Sequence, residues 1–247
     1  MEIWKFFDIT HRDHLLCNPL NPGKIDEMIG LLQLPPDAHV LELAAGKGEF
    51  LVRLVERYGV SAVAVDLSPY CIRDMTQKVA QRAPDAGIQL LEMSGADYRP
   101  QPGEQFDLAV CLGASWIFDG HRGTLAALQQ MVKPGGLILG GEPFWKQEPD
   151  PAYLAAADFQ PDTFSRHVDN VTTGEALGLS LLYTIVSSED DWDRYEGLQW
   201  QAAVRYGREQ PDDPDLPDLQ QRVQEQKMAY LRWGRDTLGW AMYLFQT

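Results

Sequence analysis

A chain of 247 residues with 36 acidic and 21 basic side chains carries a net charge of −15. Its lysines and arginines are scattered, so phosphate backbones and anionic membranes repel it, and neither nucleic acid nor a membrane is an expected partner. The length suits one α/β domain with helical additions, and a hydrophobic content of 45% is enough for a large core.

In chain order, residues 1–24 are aromatic-rich and read as irregular, because Pro19, Pro22 and Gly23 disfavour a long amphipathic helix. The start shows no basic region followed by an apolar stretch, and no run reaches the roughly 18 apolar residues of a membrane span. Lys24 to Leu32 reads as a helix, with Ile25, Met28, Ile29 and Leu32 on one face. Pro35-Pro36 ends it. A strand at His39–Leu43, a helix at Glu49–Tyr58 and a strand at Ser61–Val65 follow. Ser68-Pro69 is a helix start, a capping serine with proline at the first helical position, and that helix runs to Arg82. Ile88–Met93 and Phe106–Leu112 are strands three and four. Thr124–Val132 is helical, and Pro134-Gly135-Gly136 turns into a fifth strand, Leu137–Gly141. Strands with few polar positions, alternating with helices, indicate a parallel sheet covered on both faces. Beyond Gly141, residues 143–170 read as loop-rich, and Thr172–Leu177 as a short helix before a strand at Ser180–Val186. Helices follow at Glu189–Gly207 and Leu219–Arg235, then a closing strand at Trp240–Phe245.

The first strand ends in Ala44-Ala45-Gly46-Lys47-Gly48. Small residues at a strand-to-helix turn let a ligand approach the backbone, and open α/β sheets bind ligands at the carboxyl ends of their strands. A nucleoside-type ligand near Gly46 and Gly48 is therefore expected. A dinucleotide fingerprint would need a third glycine where Leu51 stands, which disfavours NAD and FAD, and no phosphate-binding G-x-x-x-x-G-K-[ST] loop is present. Cys17, Cys71 and Cys111 are odd in number and lack paired spacing, so neither a disulfide framework nor a zinc site is expected, and no metal is assigned. The expected setting is the cytoplasm.

VLELAAGKGEF (Val40–Phe50) resembles the first motif of the class I S-adenosylmethionine-dependent methyltransferases, with Ala44 in place of its first glycine. The likeness continues through Asp66 at the end of the second strand, Ala96-Asp97 after the third, Asp107 opening the fourth and Lys133-Pro134-Gly135-Gly136 before the fifth. It spans roughly residues 38–141. NPGKIDEM, LGASWIFDG, GEPFWKQEP and DWDRYEGLQW further resemble the YjhP-like bacterial branch of that family, over nearly the whole chain.

The resemblance implies S-adenosylmethionine as cofactor and a Rossmann-like, seven-stranded, mostly parallel sheet. Residues 1–37 form an N-terminal arm and helix and residues 38–141 the cofactor-binding core; residues 142–178 and 187–238 cover the substrate. It places Asp66 on the ribose hydroxyls, Glu42 at the methionine end, and Ala96 and Asp97 at the adenine. Ala44, Gly46, Gly48 and Leu112 line the cofactor, Leu67 flanks the adenosine, and Asn18 touches it if the arm closes. Each has a plainer alternative: Asp66 as a helix-capping acid, Glu42 as a salt-bridged core acid, Asp97 as a turn residue. Trp116, Trp145 and Trp192 are candidate substrate contacts, since an aromatic face attracts a sulfonium or other cation. Packing is the alternative for each. Glu142 and His14 are candidate proton acceptors. Residues 187–218 hold ten acids and three arginines, either a solvated face or a preference for cationic substrates. The expected reaction is methyl transfer to O, N or S of a small molecule. The rival reading is a non-catalytic module binding S-adenosylmethionine or S-adenosylhomocysteine.

Overall fold

Branched and small apolar side chains alternate along His39–Leu43, Ser61–Asp66 and Phe106–Leu112, and nearly all are buried on both faces. The computed structural model describes residues 1–247. Its elements in order are α1 (Ile3–Thr10), α2 (Pro22–Leu31), β1 (His39–Leu43), α3 (Glu49–Tyr58), β2 (Ser61–Asp66), α4 (Pro69–Arg82), β3 (Ile88–Glu92), β4 (Phe106–Leu112) and α5 (His121–Gln129). Then come β5 (Val132–Trp145), α6 (Pro151–Ala157), α7 (His167–Ala176), β6 (Ser180–Val186), α8 (Glu189–Glu209), α9 (Leu216–Ala229) and β7 (Leu238–Gln246).

The seven strands lie in the order β3-β2-β1-β4-β5-β7-β6. All neighbours are parallel except β7, which runs antiparallel to β5 and β6. One face packs on α2, α3 and α4 through Met28, Leu51, Leu54 and Met75, and the other on α5 through Leu125 and Leu128. The chain reverses its direction of travel across the sheet between β1 and β4, which puts a ligand crevice at their carboxyl ends. Buried Glu49 pairs with Arg53 on its own helix and ties α3 to α4 through Lys78 and Arg82. No helix is long and apolar enough to cross a membrane.

Four segments depart most from the sequence reading. The first 24 residues are not wholly irregular: Glu2 accepts from the Trp4 and Lys5 N–H groups and starts α1, whose Phe6 and Ile9 bury against Ala203, Leu219 and Val223. Strand β5 continues to Trp145 because β7 pairs with it from Leu137 to Trp145. Its pairing with β4 stops at Gly141, so Pro143 lies where that edge is free. The segment thought loop-rich holds α6 and the first half of α7, each opened by local capping at Asp150 and Arg166. Finally, the last helix ends at Ala229 and widens into a π-helical turn at Tyr230–Gly234.

Candidate active site

The turn after β1 is built from backbone that few side chains tolerate. Ala44, Gly46 and Gly48 have φ of 52°, 57° and 68°. Glycine adopts this region freely, whereas alanine there is strained by roughly 1–2 kcal/mol. The alanine replacing the family's glycine is thus held in a glycine conformation. At Gly48 a Cβ would stand 2.5 Å from Met75 Cγ, so α4 packs directly against the turn.

Asp66 fastens the turn to β2. One carboxylate oxygen accepts the Gly46 N–H at 2.7 Å, and the other accepts the Ser68 N–H at 2.8 Å. Burial raises its pKa above the usual carboxylate range, opposed by the N–H groups of Ser68, Gly46 and Leu67. Each oxygen keeps a second lone pair for a hydroxyl donor. Ser68 caps α4 through the Cys71 N–H, and Leu67 beside it is 51% exposed, an apolar face at the crevice rim. Across the crevice Ser94 caps the single turn Gly95–Asp97, which leaves Ala96 half-buried and Asp97 exposed.

The N-terminal arm closes over this turn. Lys47, between the two glycines, donates to the His11 carbonyl at 2.7 Å. Asn18, Glu42, Ala44, Gly46 and Leu112, all read from the sequence as cofactor contacts, line one cavity together with Leu15, Leu16 and Cys17. It holds about 30 Å³, room for only one or two waters. The contributions of Cys17 and Lys47 were missed; a lysine flanked by two turn glycines was the available signal for the second. A larger groove of about 480 Å³ runs past Leu34, Asp107 and Lys133. It lies at the amino end of β4, where Lys133 pairs with Asp107, which also accepts the His39 N–H. Those two motif residues therefore hold strands together and lie apart from the cavity.

Several buried polar atoms have no partner in the chain, and most lie on residues the sequence singled out: Asn18 Oδ1, Glu42 Oε2, Glu142 Oε2, His14 Nδ1 and Trp192 Nε1. Such orphans are rare in folded proteins, and each calls for a partner from outside the chain, water or ligand. Burial, reinforced by nearby Asp66, pushes Glu42 up to about 8. Glu142, at the carboxyl end of β5, accepts from Ser115 Oγ at 3.0 Å, and burial pushes it up to about 7. His14 Nε2 donates to the Tyr195 carbonyl at 2.8 Å, leaving Nδ1 as its basic nitrogen; burial lowers its pKa.

Glu42 and Glu142 make a pH prediction. The folded chain keeps their protons to pH values near 8 and 7, whereas unfolded glutamates release theirs near 4.5. At these two groups the native state thus binds more protons across that window, and their contribution to stability falls as pH rises through it. Buried His11, His14 and His121, held below the usual imidazole range, act with the opposite sign, so the readout is a difference: between about pH 5 and 8 the urea midpoint of the unliganded wild-type chain should lose ground to that of Glu42→Gln. Parallel pH profiles for the two chains would contradict the buried, unpaired state of Glu42.

Neither Trp116 nor Trp145 is part of the lining of the small cavity. Trp116, expected as a pocket wall, is 73% exposed. Its neighbour Ile117 instead turns inward, against Gly95. Trp145 is buried among Tyr153, Phe159 and Phe164, and its indole N–H donates to the Pro161 carbonyl at 3.0 Å, so it packs the covering segment. Trp192 is half-buried and packs on the cluster that includes Leu16, Leu112 and Trp240.

Residues 40–136 match a family model described as a methyltransferase domain. The chain is 26% identical to the Escherichia coli protein YjhP over 245 residues, 98% of each chain. A SAM-dependent methyltransferase of Geobacter sulfurreducens, solved in complex with S-adenosyl-L-homocysteine, superposes with a TM-score of 0.91 at 26% identity, over 98% of this chain and 97% of that one. Another from Thiobacillus denitrificans, solved with the same molecule, gives 0.90 at 29% identity over 99% of both chains. With the strand order, the left-handed turn after β1 and the Asp66 clasp, these relations make the chain a class I S-adenosylmethionine-dependent methyltransferase.

Proposed function

We propose that the chain transfers a methyl group from S-adenosylmethionine to an O, N or S atom of a small molecule. The observation that carries this reading is the convergence of Asn18, Glu42, Gly46 and Leu112 on one cavity, two of them with orphan oxygens, beside the Asp66-clasped turn. When bound, S-adenosylmethionine supplies a sulfonium methyl that an acceptor lone pair can displace in line. In this reading Asp66 accepts from the ribose hydroxyls, and Leu67, Ala96 and Asp97 bracket the adenine. Glu42 and Asn18 take the α-ammonium of the methionine end. Because the cavity is so small with the arm down, residues Leu15 to Asn18 lift to admit the cofactor and close again to exclude water. The arm, residues 142–178 and residues 187–238 cover the acceptor. The proposed setting is the cytoplasm, in keeping with three free thiols, and neither nucleic acid nor a membrane is a proposed partner.

Glu142 is the proposed proton acceptor. Ser115 fixes one of its oxygens and leaves the other unpartnered. A carboxyl pushed up to about 7 is also well matched to proton transfer near neutral pH. The test is S-adenosylhomocysteine release from S-adenosylmethionine with fractionated small-molecule extracts. Turnover with at least one fraction is expected, and Glu142→Gln should lower kcat by about 10²–10⁴ with little change in cofactor affinity. Cofactor binding without turnover on any fraction would favour a binding module.

A further inference from the structure

The acid that stands out beyond this cofactor site is Glu196, on the inner face of α8. It is partly buried, and no cation lies among the groups acting on it. The nearest donor is the Trp200 indole N–H, which is off hydrogen-bond geometry. The basic side chain nearby is already engaged: Arg235 pairs with Asp193 at 3.0 Å, and Asp193 also accepts from Tyr230 Oη at 2.7 Å. Around Glu196 stand aromatic rings from three segments. Its charge is felt by Tyr153 of α6, Tyr195 of α8 and Tyr230 of the π-helical turn. Trp192 stacks on Tyr230 at 6.3 Å between centroids, Trp200 tilts against Tyr230 at 6.2 Å, and Trp192 meets Tyr195 edge-on at 6.1 Å.

An anion would be repelled here by Glu196 and by a segment of net charge −7 over residues 187–218. A purely apolar ligand would leave the carboxylate without a partner, at the cost of its lost hydration. Electron-rich ring faces around a carboxylate instead match a nitrogen cation, which both attract. The π-helical turn, a form common at functional sites, carries Tyr230 into this group, and Gly234 within it leaves room for the Tyr153 hydroxyl, which would lie 2.9 Å from a Cβ there.

We propose that Glu196, with Trp192, Trp200, Tyr153, Tyr195 and Tyr230, forms a cage for an ammonium group, protonated or quaternary, carried by the methyl acceptor. This rests on the methyltransferase reading and deepens it. Trp192 packs on the core cluster that includes Leu112 at the end of β4, and Tyr195 links the cage to His14 on the arm, so the acceptor would reach from the cage toward the transferable methyl. An ammonium nitrogen has no lone pair, so the cage recognises the substrate while another atom of the same molecule takes the methyl.

The experiment is calorimetry of the full chain, with and without S-adenosylhomocysteine, against choline and its uncharged isostere 3,3-dimethylbutan-1-ol. Choline should bind about tenfold or more tighter than the isostere, a ratio set by the cation–π and carboxylate attraction. Glu196→Gln should remove most of that preference while leaving S-adenosylhomocysteine binding unchanged. Equal binding of the two probes to the wild-type chain would overturn the cage, and so would a preference that survives Glu196→Gln. The wild-type comparison stands even if the variant fails to fold. Loss of S-adenosylhomocysteine binding would count against the cofactor reading, whereas loss of cation preference counts only against the cage.

Discussion

Asp66→Ala is expected to weaken S-adenosylhomocysteine binding by about 2–4 kcal/mol, the loss that follows when hydrogen bonds to a charged group are removed. The geometry adds a second contribution to the sequence argument. Asp66 also receives the Gly46 and Ser68 N–H groups, so the variant loosens the turn that the cofactor must meet. Asp66→Asn separates the two effects: an amide presents only one carbonyl oxygen and cannot clasp both N–H groups as the carboxylate does. Its loss should be smaller than that of alanine yet still measurable by calorimetry. Unchanged affinity in Asp66→Ala, with circular dichroism showing an intact fold, would remove Asp66 from the cofactor site.

The turn itself supplies the second large effect, through two substitutions of opposite sign. Gly48→Ala places a side chain at a φ of 68°, costing roughly 1–2 kcal/mol. Its Cβ would also press into Met75 at 2.5 Å, an overpacking worth about 1–3 kcal/mol. A total near 2–5 kcal/mol should appear as a lower urea midpoint with an unchanged slope. Ala44→Gly relieves a comparable backbone strain at a φ of 52° and gives back about 0.5–1 kcal/mol in chain entropy. It should therefore be neutral or stabilising by up to about 1.5 kcal/mol. If Ala44→Gly instead destabilised the chain by more than the entropy cost, the strain assigned to this turn would be wrong.

Much of this protein was legible without coordinates because its signals are local. The bounds of β1, α3, α4, β4 and β6 follow from runs of apolar residues ended by proline, glycine or a capping serine. The turn glycines, Asp66, Ala96 and Asp97 lie within a short distance of strand ends, so their positions in the fold can be read from motif spacing. Asn18 and Glu42 line one cavity, although arm and strand meet only in the fold.

What the sequence could not fix depends on contacts between distant segments. Helix α1 forms because its apolar face finds α8 and α9, some 200 residues later in the chain. Strand β5 runs on to Trp145 because β7 supplies a partner there. Trp116, Trp145 and Trp192 look equivalent as residues, yet one faces solvent, one packs the cover and one reaches the cluster near Leu112. The strain at Ala44 was likewise invisible, since a residue's name does not give its φ. Local chemistry thus determined the sheet core and its cofactor turn from the sequence alone. Only tertiary packing decided which side chains are buried around the crevice, because burial and the pairing of polar groups are settled between segments that the sequence keeps far apart.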